Sequence, residues 1–179
     1  MILLDPELAG SAAAEAANRT PARRAAASGG RPSARNLRLP SARALNRFLA
    51  QAQAAVGLRG QVSVLLTTDA AMRRLNRRFR GIRKPTDVLS FPAAAAPSGP
   101  EAVAGDLAIG VPTARRQAIE HGHALASEIK ILILHGLLHL AGYDHEADNG
   151  RMARRERQLR ARLGLPGGLI ERAASRSRS

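Results

Sequence analysis

The chain has 179 residues, 45% of them hydrophobic but only 2% aromatic, so the core of what reads as one domain must be built from Ala, Leu, Val and Ile. The absence of cysteine excludes a disulfide framework and any thiolate metal site, leaving nitrogen and oxygen ligands for a transition metal. A formal charge of +14 rests on 28 basic residues, all arginine except Lys84 and Lys130, which fits either a surface for a polyanion such as nucleic acid or a general Ala/Arg bias of the sequence.

Residues 1–8 read as a first short strand. Met1–Leu4 is apolar, but Asp5 and Glu7 interrupt it and no basic stretch precedes it, so it is not a secretory signal. No apolar run in the chain approaches the roughly 20 residues of a membrane span, which makes the cytoplasm the expected location. Residues 9–40 read as a linker or insertion, with Ala/Gly/Ser/Arg low complexity over Ala9–Ala34. The domain proper is expected over residues 41–165.

Ser41 is placed to cap a helix whose apolar face carries Leu45, Phe48, Leu49 and Ala52 and which ends near Gly57. Gln61–Thr68 is β-branched and apolar, hence a strand. Asp69 then caps a helix with Met72, Leu75 and Phe79 on one face and Arg73, Arg74, Arg77 and Arg78 on the other, closed by Gly81. A turn at Lys84–Thr86 leads into a strand over Asp87–Phe91, stopped by Pro92, and Ala93–Gly99 reads as a loop. Asp106–Val111 is a further strand, and Pro112–Glu120 a helix. From Ser127 a broad apolar stripe of Ile129, Leu132, Ile133, Leu137 and Leu140 predicts a buried helix ending at Gly142. Asp148–Leu163 predicts an amphipathic helix with Met152, Leu159 and Leu163 inward and its arginines outward. Residues 166–179 are expected to form a basic disordered tail. Strands and helices are mixed without βαβ regularity, so the fold class is α+β: one domain, with a mixed sheet of about four strands and about five or six helices.

The chemistry concentrates on the buried helix. His135 and His139 are four residues apart, so their rings leave one helix face a turn apart. Gly142 can take the positive φ that ends the helix and lets the chain return with His145. Buried imidazoles without partners would each carry a desolvation cost of a few kcal/mol. Three neutral imidazoles with an open fourth position are the layout of a catalytic metal, zinc being the expected ion, although nickel, cobalt or copper would also bind. His121 and His123 are expected to face solvent.

The spacing also fits zinc peptidases with three histidine ligands, but these carry a glutamate directly after the first histidine as general base, where this chain has Gly136.

HGLLHLAGYDH (His135–His145) and RGIRKPTDVLSFP (Arg80–Pro92) together resemble the bacterial YbeY family of single-strand-specific, metal-dependent endoribonucleases. The likeness continues through Leu66–Gly81, Gly105–Gly110 and Gln117–His123 and spans about Gln61 to Leu163. The resemblance implies action in maturation of the 16S rRNA 3′ end and in ribosome quality control. It implies His135, His139 and His145 as ligands of one zinc ion, with His135 and Arg80 in catalytic positions and Arg80 lining the RNA cleft. Single-stranded RNA and the small ribosomal subunit would be partners, with a ribosomal protein or an assembly GTPase as further ones, and no membrane. Asp87 and Ser90 could orient that cleft, hydrogen-bond a ligand or hold a turn. Asp144 could support a histidine or cap its turn, and Asp106 is expected to be structural. The chain departs from the family at Ile82–Arg83, where a Lys-Asp pair is usual, in the long segment before Ser41, and in the Arg-rich C-terminal tail. Two rival readings are a cytosolic zinc metallopeptidase and a non-catalytic rRNA-binding assembly factor.

Overall fold

A computed structural model describes residues 1–8, 37–94, 102–145 and 147–166. Most of the expected linker and of the loop after Pro92, and the tail from residue 167, lie outside the described residues. Four strands and five long helices are ordered along the chain as β1 (Ile2–Leu4), α1 (Ala42–Val56), β2 (Gln61–Thr67), α2 (Asp69–Arg80), β3 (Val88–Pro92), β4 (Val103–Gly110), α3 (Val111–Glu120), α4 (Leu125–Leu140) and α5 (Arg151–Leu163). The strands form one mixed sheet in the order β1-β2-β4-β3, with β1, β2 and β4 parallel and β3 antiparallel to β4. This is the α+β domain expected, with the sheet order added by long-range pairing.

Alternation within the strands assigns the two faces. Val62, Val64 and Leu66 of β2 and Leu107 and Ile109 of β4 point into the main core, where they meet Leu45, Phe48 and Leu49 of α1 and Ile129, Leu132, Ile133 and Leu137 of α4. The opposite face is covered by α2 through Met72, packed with Leu89 and Ala108. Helix α5 closes the far side of α4, setting Met152 and Leu159 against Leu134 and Leu138. With the sheet on one side and α5 on the other, every residue from Ile131 to Leu138 is buried.

Local chemistry moved several boundaries. The first strand stops at Leu4, because Pro6 has no N–H to continue the ladder and Asp5 Oδ1 accepts from Glu7 N at 2.9 Å. Thr68, not Asp69, caps α2 by accepting from Ala71 N at 3.2 Å. Asp69 instead receives Thr113 Oγ1 at 2.8 Å and Arg116 Nη1 at 2.9 Å, tying α2 to α3. Helix α4 begins at Leu125, two residues before Ser127, and Glu128 in its first turn is buried against His123, with Nε2 and Oε2 3.1 Å apart. His123 is therefore a packed partner, while His121 is exposed as expected. Strand β4 starts at Val103, three residues before the expected Asp106, with a register shift between its pairings to Gln61 and Val62 that skips Ala104.

Candidate metal centre

The centre is assembled by how α4 ends. Tyr143 N donates to Leu138 O and Gly142 N to His139 O, both at 3.0 Å, while Gly142 sits at φ 85. These paired bonds around a left-handed residue are the Schellman closure, which reverses the chain and turns residues 143–145 back over the last helical turn. His145 thereby joins His135 and His139. The Nε2 atoms of His135 and His139 are 3.1 Å apart, and one ligand atom from each of the three rings lies within 4.8 Å of the others. Ring centroids are separated by 4.8 Å for His135–His139, 5.6 Å for His135–His145 and 5.3 Å for His139–His145. The three predicted ligands are thus brought together.

The donor set fits a bound cation. Two nitrogens held at 2.0–2.1 Å in a tetrahedral shell stand about 3.3 Å apart, close to the observed 3.1 Å, and the wider separations involve the exposed ring of His145. Burial is the largest influence on His139, and the adjacent His135 and His145 add to it. Together they push its pKa down to about 4, against a hydrogen bond at the Tyr143 backbone and the Asp144 charge. The ring is therefore neutral and able to ligate at pH 7. His135 is 6% exposed, and its Nδ1 is 3.1 Å from Oε2 of Glu156, a residue 1% exposed on α5. Oε1 of the same carboxylate lies 2.8 Å from both Nε and Nη2 of Arg160, whose Nη1 donates to Pro166 O at 2.7 Å.

Glu156 and Arg160 were missed by the helical periodicity, which placed the arginines of this segment outward. Arg160 is 2% exposed and faces inward. The available signal was that Glu156 and Arg160 share the face of Met152 and Leu159, so the apolar stripe is interrupted by a self-complementary i,i+4 pair.

Gly136 settles a question of space. A Cβ at this position would stand 2.7 Å from Leu107 Cδ2, 3.0 Å from Leu107 Cδ1 and 3.3 Å from Ser90 Oγ. Ser90 Oγ donates to Gly136 O at 3.4 Å, so its role is to seat α4 on β3. A glutamate here would be driven into the sheet, away from the histidines. The Leu107 and Ser90 side chains thus fill the space where a peptidase of this pattern carries its base.

Asp87 is also structural: it accepts from Thr86 Oγ1 (3.1 Å), Val88 N (2.8 Å) and Gln117 Nε2 (2.9 Å). Asp106 is exposed on the outer face of the sheet, and Asp144 is exposed beside His145. Arg80 is the exposed last residue of α2 and makes no hydrogen bond or ion pair to the three histidines. It does stand at their end of the sheet. The neighbouring Phe79 ring is 4.9 Å from that of Phe91, Pro92 pairs with Gly105, and a Cβ at Gly105 would be 2.8 Å from Leu140 Cδ2.

Residues 33–164 match the family model described as Endoribonuclease YbeY. Among proteins named Endoribonuclease YbeY, that of Koribacter versatilis is 52% identical over 132 residues, covering 74% of this chain and 84% of the relative. That of Solibacter usitatus is also 52% identical over 132 residues, with 74% and 86% covered, and that of Moorella thermoacetica is 48% identical over 134 residues, with 68% and 85% covered. The fold is similar to the solution structure of TM1509 from Thermotoga maritima, at a TM-score of 0.50 and 27% identity, covering 71% of this chain and 86% of that one. The matched segment contains the whole histidine cluster, the glycine that stands where a peptidase would carry its base and the β2, β3 and β4 strands that seat them, and the chain accordingly belongs to the YbeY endoribonuclease family.

Proposed function

We propose that this protein is a zinc-dependent, single-strand-specific endoribonuclease of the cytoplasm, acting in maturation of the 16S rRNA 3′ end and in ribosome quality control. The observation that carries the reading is the convergence of three imidazoles beside a position, Gly136, that carries no peptidase base. His135, His139 and His145 would hold the ion. When bound, such an ion polarises a phosphoryl oxygen and lowers the pKa of coordinated water toward about 7.

The remaining work falls to the chain's own side chains. Arg80 is exposed at the histidine end of the sheet, where its fork can take two oxygens of the scissile phosphate and neutralise the charge that grows during cleavage. Arg73, Arg74, Arg77 and Arg78 are also exposed on α2, and this basic helix can follow the backbone of a single strand. The small ribosomal subunit is the partner we assign, with a ribosomal protein or an assembly GTPase as further contacts.

The test is cleavage of single-stranded rRNA fragments by the parent protein and by Arg80→Ala. The variant is expected to lose cleavage while retaining metal content and melting temperature. Undiminished cleavage removes Arg80 from the reaction, and a folded, metal-loaded parent that only binds RNA supports an assembly factor instead. A 2′,3′-cyclic phosphate with a 5′-hydroxyl assigns the attack to the RNA 2′-hydroxyl, which expels the 5′ oxygen, and a 5′-phosphate with a 3′-hydroxyl assigns it to water, which expels the 3′ oxygen.

A further inference from the structure

We infer that Glu156 and Arg160 form a buried positioning pair that sets the tautomer of His135, so that its Nε2 lone pair faces the metal site. The inference deepens the zinc reading and rests on the three histidines being ligands. Neutral imidazole has one N–H and one lone pair, and only the nitrogen with the lone pair can ligate. An ionised carboxylate can only accept, so Oε2 of Glu156 at 3.1 Å requires the proton to be on Nδ1 of His135. Nε2 is then unprotonated and 3.1 Å from Nε2 of His139, within the cluster.

Arg160 makes this choice one-sided. Its guanidinium has donors only, and two of its nitrogens lie 2.8 Å from Oε1 of Glu156 while Nη1 is anchored to Pro166 O at 2.7 Å. The arginine therefore fixes one carboxylate oxygen and presents the other to His135. All three groups are nearly inaccessible, at 6% exposure for His135, 1% for Glu156 and 2% for Arg160, so water does not compete for these atoms. A ligand imidazole oriented by a carboxylate is also a stronger donor to its ion.

The informative variant is Glu156→Gln, because an amide has two different ends. Arg160 accepts no hydrogen bond, so the amide oxygen must turn toward it, which leaves the NH2 group facing His135 Nδ1. The histidine is then forced into its Nε2–H form, in which the nitrogen facing the metal site is blocked. In metal-free protein, imidazole 15N spectra should show Nδ1–H for His135 in the parent and Nε2–H in Glu156→Gln. Zinc alone, measured by chelator competition, should bind the variant roughly ten- to a hundred-fold more weakly.

If the lone unbalanced arginine prevents folding, Glu156→Gln/Arg160→Met removes the buried positive charge as well. There the amide oxygen is free to accept from His135 again, and both the Nδ1–H signal and zinc binding should recover toward the parent. A purely structural pair would lower the melting temperature of metal-free and zinc-loaded protein alike and leave the tautomer and zinc affinity unchanged, which would overturn the inference. A parent that shows Nδ1–H but binds no zinc would defeat the zinc reading and leave the tautomer assignment standing. A parent with His135 in the Nε2–H form defeats the positioning role itself.

Discussion

His139 is the residue most altered by its surroundings. Protonating it would place a cation in a partly buried site beside two other imidazoles, so the metal-free folded protein holds its pKa near 4, against 6.5 for the free side chain. The unfolded chain takes up the proton near pH 6.5 and the folded one only near 4. The contribution of His139 to stability is therefore complete above about pH 6.5 and is lost as the pH falls toward 4. An NMR pH titration of the metal-free protein should give an imidazole midpoint for His139 near 4; a midpoint near 6.5 would show that the rings are not crowded in solution. At this scale the convergence of the three histidines was readable, because i,i+4 spacing followed by a glycine stop is a local pattern. Glu156 was not, since its role depends on α5 crossing α4, and no spacing within α5 encodes that crossing.

At the scale of elements, the site depends on how closely α4 approaches the sheet, and two glycines permit that approach. Gly136 lets the helix touch Leu107 and Ser90. Gly105, at φ 147, lets the end of α4 pass β4, and a Cβ there would meet Phe91 O at 2.5 Å. That oxygen belongs to the backbone of the paired strand β3 and cannot rotate aside. Gly105→Ala should therefore destabilise the protein by about 2 kcal/mol or more, read as a lowered midpoint in chemical denaturation, and should weaken metal binding with it. An unchanged midpoint would mean that β3 and β4 are not held as described. Helix and strand identities were legible from periodicity and stop signals, but ends were less so. The expected cap at Asp69 failed because Thr68 had the better reach and Asp69 was engaged by α3. The expected start at Ser127 failed because the buried His123–Glu128 pair extends order upstream. Phe79 followed the apolar period of its helix yet is 56% exposed, its ring meeting Phe91 edge-on at 4.9 Å with the Arg78 guanidinium 5.4 Å from its centroid.

For the whole molecule, charge and topology answer different questions. The net charge of +14 predicts binding to a polyanion that weakens with salt, independent of fold. For single-stranded RNA the slope of log affinity against log salt should flatten by about 0.7 for each phosphate-contacting arginine removed. Arg73→Ala/Arg77→Ala, on the exposed face of α2, should thus flatten it by about 1.4; an unchanged slope would place the RNA elsewhere and leave the arginine count to compositional bias. The β1-β2 and β2-β4 neighbours in the sheet order β1-β2-β4-β3 were not legible, because they are fixed by pairings across 40 or more residues, such as Leu4 with Leu66 and Leu66 with Ile109. That order nevertheless brings the end of α2, and Arg80 with it, to the same end of the sheet as the histidines. No single helix among the described residues is long and apolar enough to cross a membrane, and α4, the most apolar, spends its hydrophobic surface on the sheet, α1 and α5.

Elemental analysis of protein purified without added metal, run in parallel on His139→Ala, bears most directly on the centre from which everything else is argued. One zinc ion per chain in the parent and its loss from the folded variant is the expected result. A folded parent free of transition metal, or a variant that keeps the ion, would contradict the assignment of these three imidazoles to a metal.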